Sequence, residues 1–431
     1  MTGGSGRTTI FALSSGQPPA AIAIVRISGP ASAEVLQALA GHLPAPRTAR
    51  LAALRDPVDG TLLDRALVLY FPGPNSATGE DLAELHLHGG RAVVAAVSRV
   101  LATMPGVEAA EPGEFTRRAF AGGRIDLAEA EGLGDLLAAE TEGQRRNALA
   151  LAEGELSRAV ARWRNRLVDL AAATEARIDF ADEDDVPDDD GGSAAAFLEL
   201  RSEIDALLAV PPAERLRDGI RVVIGGPPNA GKSTLFNALI GREAAITTPL
   251  PGTTRDAIEY PVQLAGMPFL FVDTAGLRDS EDVIEQIGVE RAQSMLASAD
   301  LILWLGVPKD APPGSIRVHP RCDLPGRDKL PPSFDLAVSA TSGQGLAELR
   351  ALLVSRGTTL LPREHELALA ARQRSALSDC ARALAGIDHE RDIVLVAEAL
   401  RAARAALDRL TGAGGIEPLL DAIFSRFCIG K

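Results

Sequence analysis

The fold of the central part of the chain is decided by the stretch Ile220-Arg-Val-Val-Ile-Gly-Gly-Pro-Pro-Asn-Ala-Gly-Lys-Ser-Thr-Leu-Phe-Asn-Ala-Leu-Ile240. It begins with an apolar run typical of a buried strand, continues through a turn rich in glycine and proline, and ends in a segment typical of a helix. The turn matches G-x-x-x-x-G-K-[ST] from Gly226 to Ser233 in the required strand-loop-helix order. A chance glycine turn is the alternative, which the flanking elements disfavour. We therefore predict a P-loop that binds phosphate groups.

Lys232 and Ser233 have separate roles in this loop. The Lys232 ammonium reaches the β- and γ-phosphates, and the Ser233 hydroxyl ligates Mg²⁺. Lysine occurs only at positions 232, 309, 329 and 431 in a chain with 44 basic residues. A compact ammonium suits this position better than a planar guanidinium does. The predicted phosphate-binding residues are Asn229, Ala230, Gly231, Lys232, Ser233 and Thr234.

Two downstream segments complete a magnesium and phosphate site. Phe269-Leu-Phe-Val272 is a second apolar strand, and it ends in Asp273-Thr-Ala-Gly276. Its carboxylate can hold the water shell of the metal, and its glycine can contact the γ-phosphate. Between the two strands, Gly252-Thr-Thr-Arg-Asp256 forms a loop in which Thr254 is the natural second hydroxyl for Mg²⁺. The predicted contacts of the second strand end are Asp273, Thr274, Ala275 and Gly276, and the order of the elements is typical of translation-factor-like GTPases.

The segment that should read the base departs from the usual N-K-x-D pattern. After the strand Ile316-Arg-Val318 the chain reads Pro320-Arg-Cys-Asp323. Asp323 can pair with the N1 and N2 hydrogens of guanine, and Ser339-Ala340 stands where the loop beside the base is expected. Without the asparagine and the lysine, we expect this segment to lose support and to pack less well over the base. ATP stays open as an alternative nucleotide.

Catalytic groups are harder to find, because Leu277 follows Gly276 where a glutamine would be expected, and no arginine finger is evident. Charge between the β- and γ-phosphates must then be neutralised by another group. The side-chain carbonyl of Asn229 is well placed for a monovalent cation. Glu285 could polarise water through a bridging solvent molecule, with a helix-capping or solvated role as the alternative.

The flanking regions predict two further domains around this block. Strand patterns at 21–27, 66–71 and 84–88 predict an α+β region, whereas spacing such as Trp163, Leu167, Leu170 and Thr174 predicts helices. Helical spacing returns after about residue 362, so an α/β domain is inserted into a helical one. The predicted boundaries are residues 1–121, 122–215, 216–357 and 358–431.

Charge and composition exclude several classes of protein. The net charge is −14 and the sequence pI is about 5.0, which argues against broad nucleic-acid binding driven by counterion release. No apolar run reaches the roughly 20 residues of a membrane span, and the first residues do not resemble a signal peptide. The three cysteines are far apart in sequence. We expect a reduced cytoplasmic protein that does not associate with membranes.

Three polar residues of one strand pattern share a face. Alternation places Glu84, His86 and His88 opposite Leu85 and Leu87. Two histidines without a third ligand more often line a surface or pocket than bind a metal. Trp304, in an apolar run, is expected in the strand core and not as a platform for a base.

Several motifs together resemble the MnmE (TrmE) family of tRNA modification GTPases over nearly the whole chain. They are Arg26-Ile-Ser-Gly29, Pro72-Gly-Pro-Asn-Ser76, Thr78-Gly-Glu-Asp81, Glu111-Pro-Gly-Glu-Phe-Thr-Arg117, Ile125-Asp-Leu-Ala-Glu-Ala130, the nucleotide motifs above and Phe427-Cys-Ile-Gly-Lys431. Other P-loop GTPases share only the central block. The resemblance implies an α+β N-terminal domain that dimerises and binds folate, a discontinuous helical domain and an inserted α/β P-loop GTPase domain of the Ras-like type.

The resemblance also implies a reaction, cofactors and partners. The family uses formyl- or methylene-tetrahydrofolate and hydrolyses GTP with Mg²⁺ and K⁺. It acts as a homodimer that joins the FAD-containing MnmG (GidA) protein in a heterotetramer. Together they add a carboxymethylaminomethyl-type group to carbon 5 of the wobble uridine of certain tRNAs.

By motif position, the resemblance assigns individual residues. The K⁺ ligands would be Asn229, Thr248, Leu250 and Thr253, and Glu285 would orient water. The folate contacts would be Arg26, Glu84, Arg124 and Lys431, where Arg124 replaces the lysine common in the family. Cys428 would be the thiol of the modification chemistry, although burial as a small apolar group is the commoner role of a free cysteine. A regulatory GTPase of ribosome assembly and a degenerate nucleotide-binding scaffold are the alternative functions.

Overall fold

The computed structural model describes residues 8–179, 192–244, 258–273, 295–387 and 392–413, together with 421, 423–425, 427 and 430. The described residues form two compact units. One lies within Met1–Gly134, Leu151–Arg158 and Asp408–Lys431, and the other within Asp135–Ala150 and Ala159–Leu407.

The first unit is built on a six-stranded sheet in the order β3-β4-β5-β2-β1-β6. Its pairs are antiparallel except for β1 and β6, which are parallel. The strands are β1 Thr9–Leu13, β2 Ile22–Ser28, β3 Arg50–Arg55, β4 Leu62–Phe71, β5 Leu82–His88 and β6 Val107–Ala109. The helices are α1 Ser32–Ala40, α2 Arg91–Thr103 and α3 Glu114–Ala121.

Period-2 alternation decides which face of this sheet is buried. Leu85 and Leu87 are at most 1% exposed and belong to one core cluster with Leu36 of α1 and Val97 of α2. The opposite face carries the polar residues of the same strands. Phe115 of α3 covers part of that second face in a small separate cluster.

The helical part confirms the predicted spacing. Its helices are α4 Leu127–Ala138, α5 Glu142–Ala152, α6 Glu155–Asp179, α7 Gly192–Ala209, α8 Ala213–Arg217, α11 Ala371–Ile387 and α12 Ile393–Thr411. On α6, Trp163 and Leu167 are 3% and 1% exposed, as a stripe with 3.6-residue period requires. Leu400 and Leu407 are buried in the same way on α12.

The α/β block contains a second six-stranded sheet in the order β12-β11-β10-β7-β9-β8. Only β8 is antiparallel to its neighbour. The elements are β7 Ile220–Gly225, α9 Lys232–Ala244, β8 Ile258–Leu264, β9 Met267–Asp273, β10 Leu301–Trp304, β11 Ile316–Pro320, β12 Leu336–Val338 and α10 Leu346–Thr358. The predicted strand-loop-helix order around the P-loop is confirmed.

The connection from β10 to β11 is unusually short for a parallel pair. Such crossovers take about a dozen residues or more and usually contain a helix. Here residues 305–315 suffice, with a single 3₁₀ turn at Pro308–Asp310. The crossover packs directly on the P-loop, because a Cβ on Gly306 would lie 2.9 Å from Pro227 Cδ.

The chain enters and leaves the α/β block at neighbouring positions. The Ala213 backbone N–H donates to the Leu369 carbonyl oxygen at 3.0 Å. Arg374 donates to the carbonyl oxygens of Leu208 and Val210 at 2.6 and 2.7 Å. These bonds connect the segment before the block to the segment after it.

No helix within the described ranges is long and apolar enough to cross a membrane. Cys322 and Cys380 are buried free thiols.

Candidate functional site

The P-loop lies at the end of a central strand. β7 is flanked by β9 and β10, and the loop leads from its last residue into the start of α9. Asn229 and Gly231 have positive φ angles of 61° and 96°. Alternation of left-handed and right-handed backbone turns successive N–H groups toward one point, which makes a binding site for an anion.

Lys232 lies across this loop. Its Nζ donates to the carbonyl oxygens of Gly226 and Pro227 at 3.0 and 2.9 Å. These bonds hold the ammonium beside the loop N–H groups, where it can reach a phosphate. Ser233 and Thr234 follow at the start of α9 with exposed side chains. An exposed hydroxyl at this place is a hard oxygen ligand of the kind that Mg²⁺ prefers.

A cavity of about 350 Å³ lies beside the P-loop. It brings together residues from three segments that are distant in sequence and that the motifs predict to bind one nucleotide. Gly231 and Thr234 come from the P-loop side, Asp323 follows β11, and Ser339 and Ala340 follow β12. Parallel strands place their carboxyl ends at one edge of the sheet, which explains the convergence.

Arg321 also lines this cavity, although the sequence motifs did not indicate it. It has a φ of 60°, and its Nη2 donates to the Asn229 carbonyl oxygen at 2.7 Å. The expectation that the Pro320–Asp323 segment lacks support is therefore corrected, because an arginine ties it to the P-loop. The sequence shows the arginine but not its partner, because every residue carries a backbone carbonyl oxygen.

The segment around Asp323 is fixed by further hydrogen bonds. The Cys322 backbone N–H donates to the Val338 carbonyl oxygen at 3.2 Å. Ser339 is 1% exposed, and its Oγ accepts from the Ser342 backbone N–H at 3.1 Å. Burial and the neighbouring Asp323 carboxylate raise the pKa of the Cys322 thiol, so this thiol is held in its neutral form.

A second polar cluster lies on the open face of the first unit's sheet. Arg26 on β2 is the register partner of Glu84 on β5, and its Nε and Nη2 donate to Glu84 Oε1 at 3.2 and 2.9 Å. His86 Nε2 lies 3.2 Å from the other carboxylate oxygen. The three side chains are 26%, 16% and 26% exposed, so they line a surface and are not buried in a core.

The other predicted residues of this surface are arranged differently. His88 pairs with Asp64 at 2.7 Å and not with Glu84. Arg124 is exposed, and its Cγ would lie 3.3 Å from a Cβ on Gly79. Among the described residues, no group of three or more His, Cys, Asp or Glu side chains could hold a metal ion.

Comparison with known proteins identifies the family. A family model described as the TrmE N-terminus of a GTP-binding protein matches residues 9–124, and one described as the MnmE helical domain matches residues 127–428. The tRNA modification GTPase MnmE of Rhizorhabdus wittichii is 57% identical, covering 100% of this chain and 98% of that protein. The chain belongs to the MnmE (TrmE) family of tRNA modification GTPases.

A second relative agrees with this assignment. The tRNA modification GTPase MnmE of Novosphingobium aromaticivorans is 55% identical, covering 98% of this chain and 99% of that protein. A crystal structure of Era with MgGDPNP and 16S ribosomal RNA nucleotides is 27% identical over 38% of this chain and 66% of that chain, with a TM-score of 0.25. The resemblance read from the motifs and the predicted fold class are confirmed. The chain is a P-loop GTPase.

Several residues assigned from MnmE motifs lie outside the described residues. They are Thr248, Leu250, Thr253, Thr254, Thr274, Ala275, Gly276, Glu285, Cys428 and Lys431. Asp273 ends β9 as the sequence predicts. Trp304, expected in the strand core, is half-buried, and its indole N–H donates to the Val307 carbonyl oxygen at 3.0 Å.

Proposed function

We propose that this MnmE-family chain hydrolyses GTP in a K⁺- and Mg²⁺-dependent manner and couples hydrolysis to modification of the wobble uridine of tRNA. The observation that carries the proposal is the convergence of Gly231, Thr234 and Asp323 on one cavity beside the P-loop that holds the Lys232 ammonium. A polyphosphate on the P-loop places its base toward this cavity, where a carboxylate can accept from the N1 and N2 hydrogens of guanine.

The P-loop residues fit both metal ions that the family uses. The exposed Ser233 hydroxyl, with Thr254, would hold Mg²⁺, and the exposed Asn229 amide, with Thr248, Leu250 and Thr253, would hold K⁺. The two cations supply positive charge where the phosphates develop negative charge. Lys232 adds a third positive charge from the chain itself. Glu285 orients the attacking water.

Exchange of the cation tests this assignment. GTP turnover by the full chain should fall by at least about tenfold when K⁺ is replaced by Na⁺, because one oriented charge at a transferring phosphate contributes several kcal/mol. Glu285→Ala should slow hydrolysis while leaving nucleotide affinity unchanged. Equal turnover in both salts would remove Asn229 from the mechanism, and unchanged turnover in the variant would remove Glu285.

The cluster of Arg26 and Glu84 fits a folate. A pterin offers adjacent N–H donors to the Glu84 carboxylate, and its ring carbonyl oxygen can accept from the neighbouring Arg26 guanidinium. We assign Arg26, Glu84, Arg124 and Lys431 to a formyl- or methylene-tetrahydrofolate that donates the one-carbon unit. Arg26→Ala should weaken binding of 5-formyltetrahydrofolate by roughly tenfold in calorimetry, because it removes a charge-assisted partner. Arg55→Ala, at the end of β3, is the control, and equal affinities would contradict the assignment.

The remaining parts of the proposal concern partners and organisation. The chain acts in the cytoplasm as a homodimer that joins an FAD-containing MnmG (GidA) protein in a heterotetramer. Cys428 is the thiol of the modification chemistry. The domains are residues 1–121 for dimerisation and folate, 122–215 and 358–431 for the helical domain, and 216–357 for GTP.

Nucleoside analysis of tRNA tests the function as a whole. A deletion strain should lack the modified wobble uridine, and the wild-type gene should restore it. Lys232→Ala should not restore it, whereas Lys329→Ala should, because Lys329 is an exposed lysine outside the P-loop. Normal modification in the deletion strain would favour a regulatory role in ribosome assembly.

A further inference from the structure

Trp304 is the last residue of β10 and lies beside the start of the P-loop. Its neighbours Leu303 and Leu305 belong to the hydrophobic core of the α/β block. Because successive residues of a strand point to opposite faces, the indole lies on the other face of the sheet. Residues 305–315 contain a 3₁₀ turn in place of the helix that usually forms such a crossover, so support of this face falls to side chains such as Trp304.

The indole packs directly against the start of the P-loop. Trp304 is the register partner of Gly225, the last residue of β7. A Cβ on Gly225 would lie 2.9 Å from Trp304 Cε3 and 3.3 Å from Leu296 Cδ2. The first distance is too short for two non-bonded carbon atoms. The backbone at position 225 therefore approaches the ring more closely than a residue with a side chain could.

The crossover fixes the ring on its other side. The indole N–H of Trp304 donates to the Val307 carbonyl oxygen at 3.0 Å. A Cβ on Gly306 would lie 3.0 Å from Trp304 Cε2. The Leu305 backbone N–H donates to the Gly225 carbonyl oxygen at 2.9 Å, which ties the strand end to the start of the P-loop. The ring thus contacts both glycine residues, and its polar group has a partner.

The supported backbone is the part of the P-loop that holds Lys232. Gly226 and Pro227 follow Gly225, and their carbonyl oxygens accept from Lys232 Nζ at 3.0 and 2.9 Å. A shift of residues 225–227 would move both carbonyl oxygens and the ammonium with them. Misplacement of a reacting or binding group by about 1 Å can cost about 100-fold in rate.

We propose that Trp304 is a positioning residue for GTP binding and hydrolysis. Its indole fixes the backbone of residues 225–227, and that backbone holds the Lys232 ammonium at the phosphates. The inference rests on the nucleotide site of the proposed function and deepens it. The alternative is that Trp304 stabilises the α/β block without affecting the P-loop.

Steady-state kinetics of the full chain separate the two roles. Loss of stability alone lowers the folded fraction, so the apparent kcat falls while the KM for GTP stays the same. Loss of positioning raises the KM of the folded protein. Trp304→Ala should raise both the KM for GTP and the Kd of GDP by at least about tenfold, because Lys232 contacts the phosphates. Trp304→Phe should recover part of the affinity, since it keeps an aromatic ring.

A matched control removes apolar volume from the same block. Leu353, on α10, is fully buried in the same hydrophobic core. Leu353→Ala should lower the thermal midpoint of unfolding and leave the KM for GTP unchanged. Equal KM values for Trp304→Ala and the wild-type chain would overturn the proposal. An equal rise of KM in Trp304→Ala and Leu353→Ala would also overturn it, because any loss of core volume would then have the same effect.

Fluorescence provides a second test that does not depend on the alanine variant folding. The chain has two tryptophans, and Trp163 is buried on α6, where its indole N–H donates to Glu203 Oε2 at 2.7 Å. In Trp163→Phe only Trp304 emits, and GDP with Mg²⁺ should change this emission, because indole emission responds to nearby charge. The change should be absent from Trp304→Phe.

The outcomes distinguish this inference from the proposed function. Binding of GDP to Trp163→Phe without a change in emission would overturn the role of Trp304 and leave the GTPase site intact. Failure of the wild-type chain to bind GDP would contradict the site itself and the inference with it.

Discussion

At the scale of single residues, Tyr70 shows how a buried polar group fixes the conformation of a loop through hydrogen bonds. It is 8% exposed, and its hydroxyl donates to Asp81 Oδ2 at 2.7 Å. The other oxygen of Asp81 accepts from the Gly73 backbone N–H at 2.9 Å. Burial, together with the hydrogen bond to Asp81 and its negative charge, raises the pKa of Tyr70 to about 12. The Asp81 carboxylate therefore joins the motif at residues 72–76 to the motif at residues 78–81.

This pair predicts a loss of stability at high pH. A raised folded-state pKa means that the native protein keeps a proton that the unfolded chain releases near pH 10, so stability falls as pH rises from about 10 to about 12. Tyr70→Phe should lower the free energy of unfolding by about 1–3 kcal/mol at pH 7, because it leaves an Asp81 oxygen without its donor. Urea unfolding measures this. Tyr260→Phe is the control, since Tyr260 is 39% exposed, and an equal effect in both variants would contradict the explanation.

Sequence reasoning at this scale identified charges but not backbone partners. Lys232 and Asp323 follow from motif spacing, and the structure places both at the P-loop side of one sheet edge. Arg321 was missed because its partner is a carbonyl oxygen at Asn229, and carbonyl oxygens carry no sequence signal. The contact between His86 and Glu84 was equally hidden, although alternation had placed both residues on one face.

At the scale of elements, the short crossover between β10 and β11 is the feature that the sequence did not reveal. Apolar runs predicted the strands on either side. Nothing in residues 305–315 indicated that the connection would rest on the P-loop. Close packing arises because Gly306 has no side chain, and a motif search has no means of seeing that approach.

Gly306 is therefore predicted to be intolerant of a methyl group. In Gly306→Ala the new Cβ would lie 2.9 Å from both Pro227 Cδ and Trp304 Nε1. Relief of these contacts should cost about 1–3 kcal/mol of stability and weaken GDP binding, because the P-loop backbone must shift. Chemical denaturation and nucleotide titration measure the two effects.

A helical glycine provides the matched control. A Cβ on Gly386, in α11, meets no atom within 4 Å. Gly386→Ala should leave GDP binding unchanged and stabilise the chain by up to about 1 kcal/mol. Full GDP affinity in Gly306→Ala would show that the crossover does not support the P-loop.

At the scale of the whole molecule, the two segments beside the α/β block act as one support. Arg374 donates two hydrogen bonds to carbonyl oxygens that precede the block, while lying on a helix that follows it. Periodicity predicted both helical regions and the insertion between them. It could not predict their contacts, because pairing between segments about 160 residues apart has no local pattern.

Removal of Arg374 should destabilise the contact between the segments before and after the α/β block. Arg374→Ala loses two charge-assisted hydrogen bonds and should cost about 1–3 kcal/mol, which lowers the thermal midpoint of unfolding. Arg374→Lys should recover part of the loss. Arg382→Ala is the control on the same helix, since that side chain is 75% exposed and pairs with Asp379 one turn away. Equal midpoints for Arg374→Ala and Arg382→Ala would contradict the role of these bonds.

The bond between Ala213 and Leu369 has a consequence for genetics and for engineering. The positions at which the chain enters and leaves the α/β block are neighbours. A short linker could therefore join them, so this cassette, the α/β block, can be deleted or exchanged without distorting the helical segments that flank it. The same adjacency allows an ancestral gene to have acquired the cassette in one recombination event. Transplanting it into another scaffold would still require partners for the bonds that Gln144 and Asn147 make to its two ends.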